Sequence, residues 1–136
     1  MDVICTRPAT QQGPAERFTG SAWIDQLAVA PPPSRLRAYS VHFTPSSRTA
    51  WHRHPNGQVL HVTEGVGRVQ QRGGPVHEIR AGDTVVATAG EWHWHGASPH
   101  HFMTHLGLVE ADDDGSESEW GEHVTDKEYL VPPAVK

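Results

Sequence analysis

The fold of this chain is decided by the stretch His52-Arg53-His54-Pro55-Asn56-Gly57-Gln58 together with two later segments, Gly82-Asp83 and Gly90-Glu91-Trp92-His93. Side chains alternate between the two faces of a strand, so His52 and His54 point the same way. A turn at residues 55–57 returns the chain at Gln58, and His93 arrives from a distant segment. Three imidazoles and one amide oxygen that converge from separate strands predict a site for one divalent transition metal.

The four candidate metal ligands are His52, His54, Gln58 and His93, and none of them carries a negative charge. A divalent ion held only by neutral donors keeps nearly its full charge, which strengthens its action as a Lewis acid. Intrinsic ligand affinity runs toward copper and zinc, so the donors alone do not select the metal.

The composition favours short strands over helices. The chain has 136 residues, which is the length of one domain, and 36% of them are hydrophobic. It contains 13 glycines and 11 prolines, too many for a helical bundle but normal for strands joined by tight turns. We therefore predict one domain over residues 1–136.

The charge and the hydropathy of the sequence argue against several classes of binding partner. The formal net charge is -5, and lysine and arginine form no cluster, so neither a nucleic acid nor an anionic membrane is an expected partner. No apolar run approaches the roughly 18 residues needed to span a bilayer. Residues 1–7 lack the pattern of a signal peptide, and we expect a cytoplasmic protein that binds a small molecule.

Apolar runs separated by turn signals predict a series of short strands, which is typical of an all-β sandwich or barrel. Gly65 is expected to end one of these strands, Asn56-Gly57 to form a hairpin turn, and Gly73-Gly74-Pro75 to form another. The predicted strands span residues 18–27, 36–43, 49–54, 58–64, 67–72, 76–79, 84–88, 93–97 and 102–110.

The two ends of the chain are predicted to lie outside this β unit. Residues 1–16 are expected to form a loose N-terminal arm, and residues 112–136 a short C-terminal tail. The acidic, serine-rich run at 112–119 is typical of a solvated loop. Within the tail, Thr125 followed three residues later by Glu128 indicates the start of a short helix.

The spacing of the histidine motifs resembles that of a known superfamily. His-x-His-x-x-x-Gln at 52–58, six residues and then Gly65, and Gly82, five residues and then Thr88-x-Gly90-x-x-His93 are similar to the two motifs of the cupins. Gln58 replaces the usual glutamate, Thr88 the usual proline and Ala97 the usual final asparagine. The resemblance implies a single jelly-roll barrel with one metal in its mouth.

A longer resemblance, over roughly residues 13–130, points to one group of cupins. Segments that include Arg48-Thr49-Ala50-Trp51-His52, His93-Trp94-His95-Gly96-Ala97 and Glu122-His123-Val124-Thr125-Asp126 are similar to the small bacterial manganese cupins. Some of those proteins are hydroxynitrile lyases that act on (R)-mandelonitrile. The resemblance implies manganese as the favoured ion, with iron, nickel or zinc as alternatives.

Strand alternation assigns further residues to the barrel mouth. Tyr39, Val41, His95 and Val109 are expected to face the substrate, and Tyr39 would either narrow the mouth or supply a hydroxyl group. The resemblance carries the role of general base over to His105. An imidazole exchanges protons near neutral pH, and a nearby dication would keep it neutral. The alternative for His105 is a structural histidine bonded to a carbonyl group.

Three functions remain open. The first, which the resemblance implies, is a carbon–carbon lyase that cleaves or forms cyanohydrins, with the metal as Lewis acid and His105 as base. The second is a metal-dependent dioxygenase that acts on a diketone, enol or phenolic substrate. The third is a non-enzymatic barrel that binds a small molecule. Because open barrels leave strand edges to cover, we also expect a homodimer or homotetramer that uses the N-terminal arm.

Overall fold

The alternating runs form an antiparallel β structure in the computed structural model, which describes residues 1–135. Lys136, the end of the predicted tail 112–136, lies outside the described residues. The strands are β1 (Gln11–Gln12), β2 (Phe18–Thr19), β3 (Ala22–Val29), β4 (Leu36–Phe43), β5 (Arg48–Thr49), β6 (His52–Arg53), β7 (Gln58–Gln71), β8 (Val76–Arg80), β9 (Thr84–Ala87), β10 (His93–Ala97), β11 (Met103–Glu110) and β12 (Glu119–Trp120), and the helix is α1 (Asp126–Tyr129).

The strands form one curled sheet whose order is β1-β3-β4-β11-β7-β10-β5-β2. Strands β8 and β9 add to β7, and β6 lies between β10 and β12. The first part of β7 pairs with β9 and β11 in one wall, and the second part pairs with β8 and β10 in the other. Strand β7 therefore joins the two walls of the barrel.

The prediction that a strand ends at Gly65 is wrong, because β7 runs through it without a break. Gly65 has a φ of +80°, and a Cβ atom there would lie 2.0 Å from the carbonyl oxygen of Phe102. Glycine adopts a positive φ without steric cost and lets the two backbones approach. Gly65 therefore bends the strand from one wall into the other instead of terminating it.

The Asn56-Gly57 turn does not form the predicted hairpin. Strand β6 pairs with β10 and β12 and not with β7, so the turn carries the chain from one wall to the other. Gly57 has a φ of +79°, and a Cβ atom there would lie 2.5 Å from the carbonyl oxygen of Ala87. In contrast, Gly73-Gly74-Pro75 is confirmed as the turn between the paired strands β7 and β8.

Two apolar clusters hold the barrel together. The first, here called the barrel core, fills the interior between the walls. The second, here called the tail cluster, packs the C-terminal segment against the outside of β10. The barrel core comprises Phe18, Ala22, Val41, Phe43, Val62, Val69, Ile79, Ala97 and Met103. The tail cluster comprises Trp51, Val76, Trp94, Val124 and Tyr129.

Both ends of the chain make specific contacts with the barrel. Strand β1 lies within the predicted arm 1–16 and pairs with β3. At the other end, the predicted helix start is confirmed: Thr125 and Glu128 exchange the two hydrogen bonds of a capping box. Among residues 1–135, no helix has the length and apolar character needed to cross a membrane.

Candidate metal centre

The barrel brings the four predicted metal ligands together. His52 on β6 and His93 on β10 are cross-strand partners, and their ring centroids are 4.4 Å apart. The ring of His54 lies 5.0 Å from that of His52 and 5.3 Å from that of His93. The Oε1 atom of Gln58, at the start of β7, lies 3.1 Å from Nε2 of His93.

Backbone carbonyl groups orient three of these imidazoles. Nδ1 of His52 donates to the oxygen of Ala50 at 2.9 Å, and Nδ1 of His93 donates to that of Glu91 at 3.0 Å. Nδ1 of His54 donates to the carbonyl oxygen of Glu117 at 2.7 Å. A carbonyl oxygen only accepts, so each Nδ1 carries the proton and each Nε2 keeps its lone pair. This is how metal-bound histidines are usually held.

The lone pairs at this centre fit a cation. Within residues 1–135, Nε2 of His54 is buried and has no hydrogen-bond partner. Nε2 of His93 faces the Gln58 oxygen at 3.1 Å, so two acceptors meet without a proton between them. A divalent ion bound here would satisfy the His93 nitrogen and the Gln58 oxygen together.

A fourth histidine stands beside the predicted three. Sequence analysis placed His95 in the substrate pocket, and it does line the cavity. Its ligating nitrogen also lies within 4.8 Å of those of His52 and His93, and the three residues form a group that could hold a metal ion. The i, i+2 spacing of His93 and His95 on β10 explains their shared face.

Burial keeps these imidazoles neutral at physiological pH. It lowers the pKa of His52 and His95 well below the usual value, and nearby imidazoles lower both further. It also lowers the pKa of His54, and it brings the pKa of His93 to about 4. Neutral imidazole is the form that binds metal.

His105 lies beside the centre, on β11. Its Nε2 is 3.1 Å from Nδ1 of His95, while its own Nδ1 is buried and has no partner among the described residues. Burial lowers the pKa of His105 to about 4, so the ring is neutral and able to accept a proton near pH 7.

A cavity of about 600 Å³ opens onto the centre. Tyr39, Val41 and Val109 line it, as strand alternation predicts. Val41 and Tyr39 on β4 pair with His105 and Gly107 on β11. Tyr39, Val41 and Val109 therefore lie in the same wall of the barrel.

Sequence analysis missed the cavity residues contributed by the segment at 112–120. The prediction of a solvated loop at 112–119 is wrong at its end: Glu117 lines the cavity, and Glu119 begins β12. The indole of Trp120 stacks on the ring of His52, with centroids 4.5 Å apart. Nothing in an acidic, serine-rich run signals these contacts, because they depend on distant strands.

The comparisons with known proteins agree with this architecture. Residues 39–103 match the family model described as "Cupin domain". An (R)-mandelonitrile lyase from Granulicella tundricola is 51% identical over 121 residues, which cover 89% of this chain and 92% of the relative. The chain belongs to the cupin family.

Solved structures have the same fold. A cupin-like protein from Thermotoga maritima superposes with a TM-score of 0.82 at 36% identity, covering 94% of this chain and 95% of that one. The polyketide cyclase of Streptomyces resistomycificus, at 16% identity, has a TM-score of 0.71 and coverages of 95% and 91%. The predicted single jelly-roll barrel is thereby confirmed, and the diversity of names shows that the fold does not fix the reaction.

Proposed function

We propose that this cupin is a metal-dependent carbon–carbon lyase that cleaves or forms cyanohydrins. The observation that carries the proposal is a set of neutral, carbonyl-oriented imidazoles beside a buried, unpaired His105 nitrogen. The 51% identical relative named (R)-mandelonitrile lyase supports the reaction class. His52, His54, Gln58 and His93 are the proposed metal ligands.

The proposed cofactor is one divalent transition metal, with manganese favoured through the resemblance and iron, nickel or zinc as alternatives. When bound, such an ion supplies Lewis-acid polarisation of a substrate oxygen. The chain supplies the remaining functions, namely orientation of the substrate, proton transfer and exclusion of water.

His105 is the proposed general base. In the cleavage direction it takes the hydroxyl proton of the cyanohydrin as the carbon–carbon bond breaks. The carbon–oxygen bond becomes a carbonyl, and cyanide leaves with the bonding electron pair. Protonated His105 then gives the proton to cyanide, so hydrogen cyanide and a neutral aldehyde or ketone are released. The unpartnered, buried Nδ1 of His105 supports this role, because it holds a lone pair that could take the proton.

The walls of the cavity suit a substrate with an apolar side chain. Val41, Phe43 and Val109 are buried hydrophobic residues that line it. His95 and Tyr39 add polar atoms at defined positions, and we propose that both contact the substrate. The cavity therefore combines apolar walls, which could hold a hydrocarbon group, with polar side chains that could orient a ligand.

One sample tests the proposal in three steps. Metal content of the purified protein is measured first, followed by mandelonitrile cleavage and oxygen uptake with a phenolic or diketone substrate. We expect about one metal ion per chain and metal-dependent release of benzaldehyde without oxygen uptake. Oxygen consumption without cyanohydrin cleavage would instead favour the dioxygenase.

A further inference from the structure

Glu117 joins the cavity wall to a candidate metal ligand through two parts of one residue. Its carbonyl oxygen accepts the hydrogen bond from Nδ1 of His54 at 2.7 Å. Its carboxylate accepts from the hydroxyl of Tyr39 at 2.8 and 2.9 Å and from Nη1 of Arg37 at 2.9 Å. Arg37 and Tyr39 are two residues apart on β4, so their side chains share a face.

Side-chain contacts of Glu117 and the pairing of β12 with β6, which begins two residues later, both hold that carbonyl group. Residues 111–118 lie between the end of β11 and the start of β12 and belong to neither strand. A turn from Asp112 to Ser116 closes the loop on itself with a backbone hydrogen bond of 2.9 Å, and the hydroxyl of Ser118 lies 3.1 Å from Nδ1 of His54. The carboxylate of Glu117 is the group that ties this end of the loop to β4.

The contacts of Glu117 are partly shielded from water. The side chains of Arg37 and Glu117 are each 27% exposed. The Arg37–Glu117 bond joins a cation to an anion, and hydrogen bonds of this kind are stronger than those between neutral groups. The carboxylate is therefore a firm anchor for the residue whose carbonyl group orients His54.

We propose that Glu117 is a positioning residue for the metal centre, held in place by Arg37 and Tyr39. With the carboxylate fixed, the carbonyl group keeps Nδ1 of His54 protonated and its Nε2 directed into the centre. The inference rests on the proposed function, because it takes His54 as a ligand. It gives Tyr39 a second role beyond lining the cavity.

The same loop provides a matched control. Arg35, just before β4, forms an ion pair with Asp113. This pair also ties the loop to the segment that leads into β4, but its side chains are 45% and 98% exposed. Neither residue contacts His54 in any hydrogen bond of the described chain. Removing the Asp113 carboxylate therefore perturbs the loop without touching the proposed anchor.

The experiment measures the affinity of the full-length protein for Mn²⁺ after metal removal. Removing an outer-shell partner of a metal-bound histidine typically costs 10- to 100-fold in affinity. We expect Glu117→Ala to weaken Mn²⁺ binding about 10-fold, since it loosens the acceptor without deleting it. Tyr39→Phe, which keeps the ring, should weaken binding by roughly 3-fold, and Asp113→Ala should leave it unchanged.

Two further variants separate positioning from general destabilisation. The double variant Tyr39→Phe/Glu117→Ala should bind Mn²⁺ as Glu117→Ala does, because both changes break one connection. Glu117→Gln keeps an acceptor for Tyr39 and should recover part of the affinity. The electron paramagnetic resonance spectrum of bound Mn²⁺ should change in Glu117→Ala and remain that of the parent protein in Asp113→Ala.

Failure of this inference and failure of the proposed function would give different results in these measurements. Wild-type affinity in Glu117→Ala, with weak binding in His54→Ala, would overturn the inference and leave the ligand assignment intact. Equal losses in Asp113→Ala and Glu117→Ala would also overturn it, because the effect would then belong to the loop as a whole. Undiminished binding in His54→Ala would instead contradict the proposed ligand set.

Discussion

The candidate metal centre and the tail cluster both bury rings that carry polar atoms, but the hydrogen bonding of those atoms differs. In the tail cluster, the indole N–H of Trp94 donates to Oε1 of Gln70 at 2.9 Å, and the hydroxyl of Tyr129 donates to the oxygen of Ala97 at 2.6 Å. At the metal centre, His54, His95 and His105 each keep a buried nitrogen without a partner in the described chain.

The difference concerns the rings of the two regions, because the buried Nε atoms of Arg48 and Arg68 beside Tyr129 also have no partner among the described residues. Buried polar atoms are nearly always hydrogen-bonded in folded proteins, because an unmet one costs free energy. The tail cluster follows this rule at Trp94 and Tyr129, whereas the centre departs from it. A bound cation that satisfies the unpaired nitrogen of His54 would also stabilise the folded state.

The largest effect is expected at the ligands. His54→Ala and His52→Ala each remove a direct donor, and we expect metal affinity to fall by more than about 100-fold, beyond the usual cost of an outer-shell change. Elemental analysis after gel filtration measures the loss. His77→Ala, at an exposed position, is the control. Full metal content in either ligand variant would contradict the assignment.

The tail cluster should respond in stability and not in metal binding. Trp94 is fully buried, and Trp94→Ala should lower the free energy of unfolding by about 3–5 kcal/mol. Alternation on β10 directs Trp94 away from His93, so folded molecules should keep their metal. Urea denaturation and metal analysis test this pair of results. A variant of normal stability that had lost its metal would remove the distinction between the two regions.

Replacing His105 tests whether this residue serves the reaction and not the binding of the metal. His105→Ala should keep its metal but lower turnover about 100-fold, which is typical of losing a general base and equals about 2.7 kcal/mol of activation free energy. Steady-state cleavage of mandelonitrile by the metal-loaded variant measures the effect. Unchanged turnover would reject the role, and His61→Gln at an exposed position serves as the control.

The smallest effect is a dependence of stability on pH. Burial lowers the pKa of His105 to about 4, while an unfolded histidine titrates near 6.5. Between these values the unfolded state binds more protons, so the free energy of unfolding falls as the pH falls. For His105 the loss from pH 7.5 to pH 5 is about 2 kcal/mol in the metal-free protein.

Denaturation of His105→Leu at pH 7.5 and pH 5 checks the contribution of His105 to the pH dependence of the free energy of unfolding. The variant should lose less stability on acidification than the parent protein, whereas His77→Leu should lose as much. An equal loss in His105→Leu and the parent would show that this ring does not carry the effect.

The parts of the site that the sequence predicts are those set by short-range rules. The shared face of His52 and His54, and the inward direction of Tyr39 and Val41, follow from the two-residue period of a strand. The arrival of His93 from a distant segment was inferred from motif spacing and is confirmed by its pairing with His52.

The missed parts depend on contacts between distant segments. Glu117 meets Tyr39 across 78 positions of sequence, and its acidic surroundings look like solvated loop. The continuation of β7 through Gly65 depends on the approach of Phe102, which no local pattern reports. His95 was assigned to the cavity, but its closeness to two ligands depends on how β6 and β10 pair.

The stacking of Trp120 on His52 makes the centre optically accessible. An indole in van der Waals contact with a coordinating ring would have its emission quenched by a paramagnetic ion bound there. Loading and release of manganese could then be followed by intrinsic fluorescence, without a label, in titrations or on a stopped-flow timescale. Trp120→Phe would identify the share of the signal that comes from this residue.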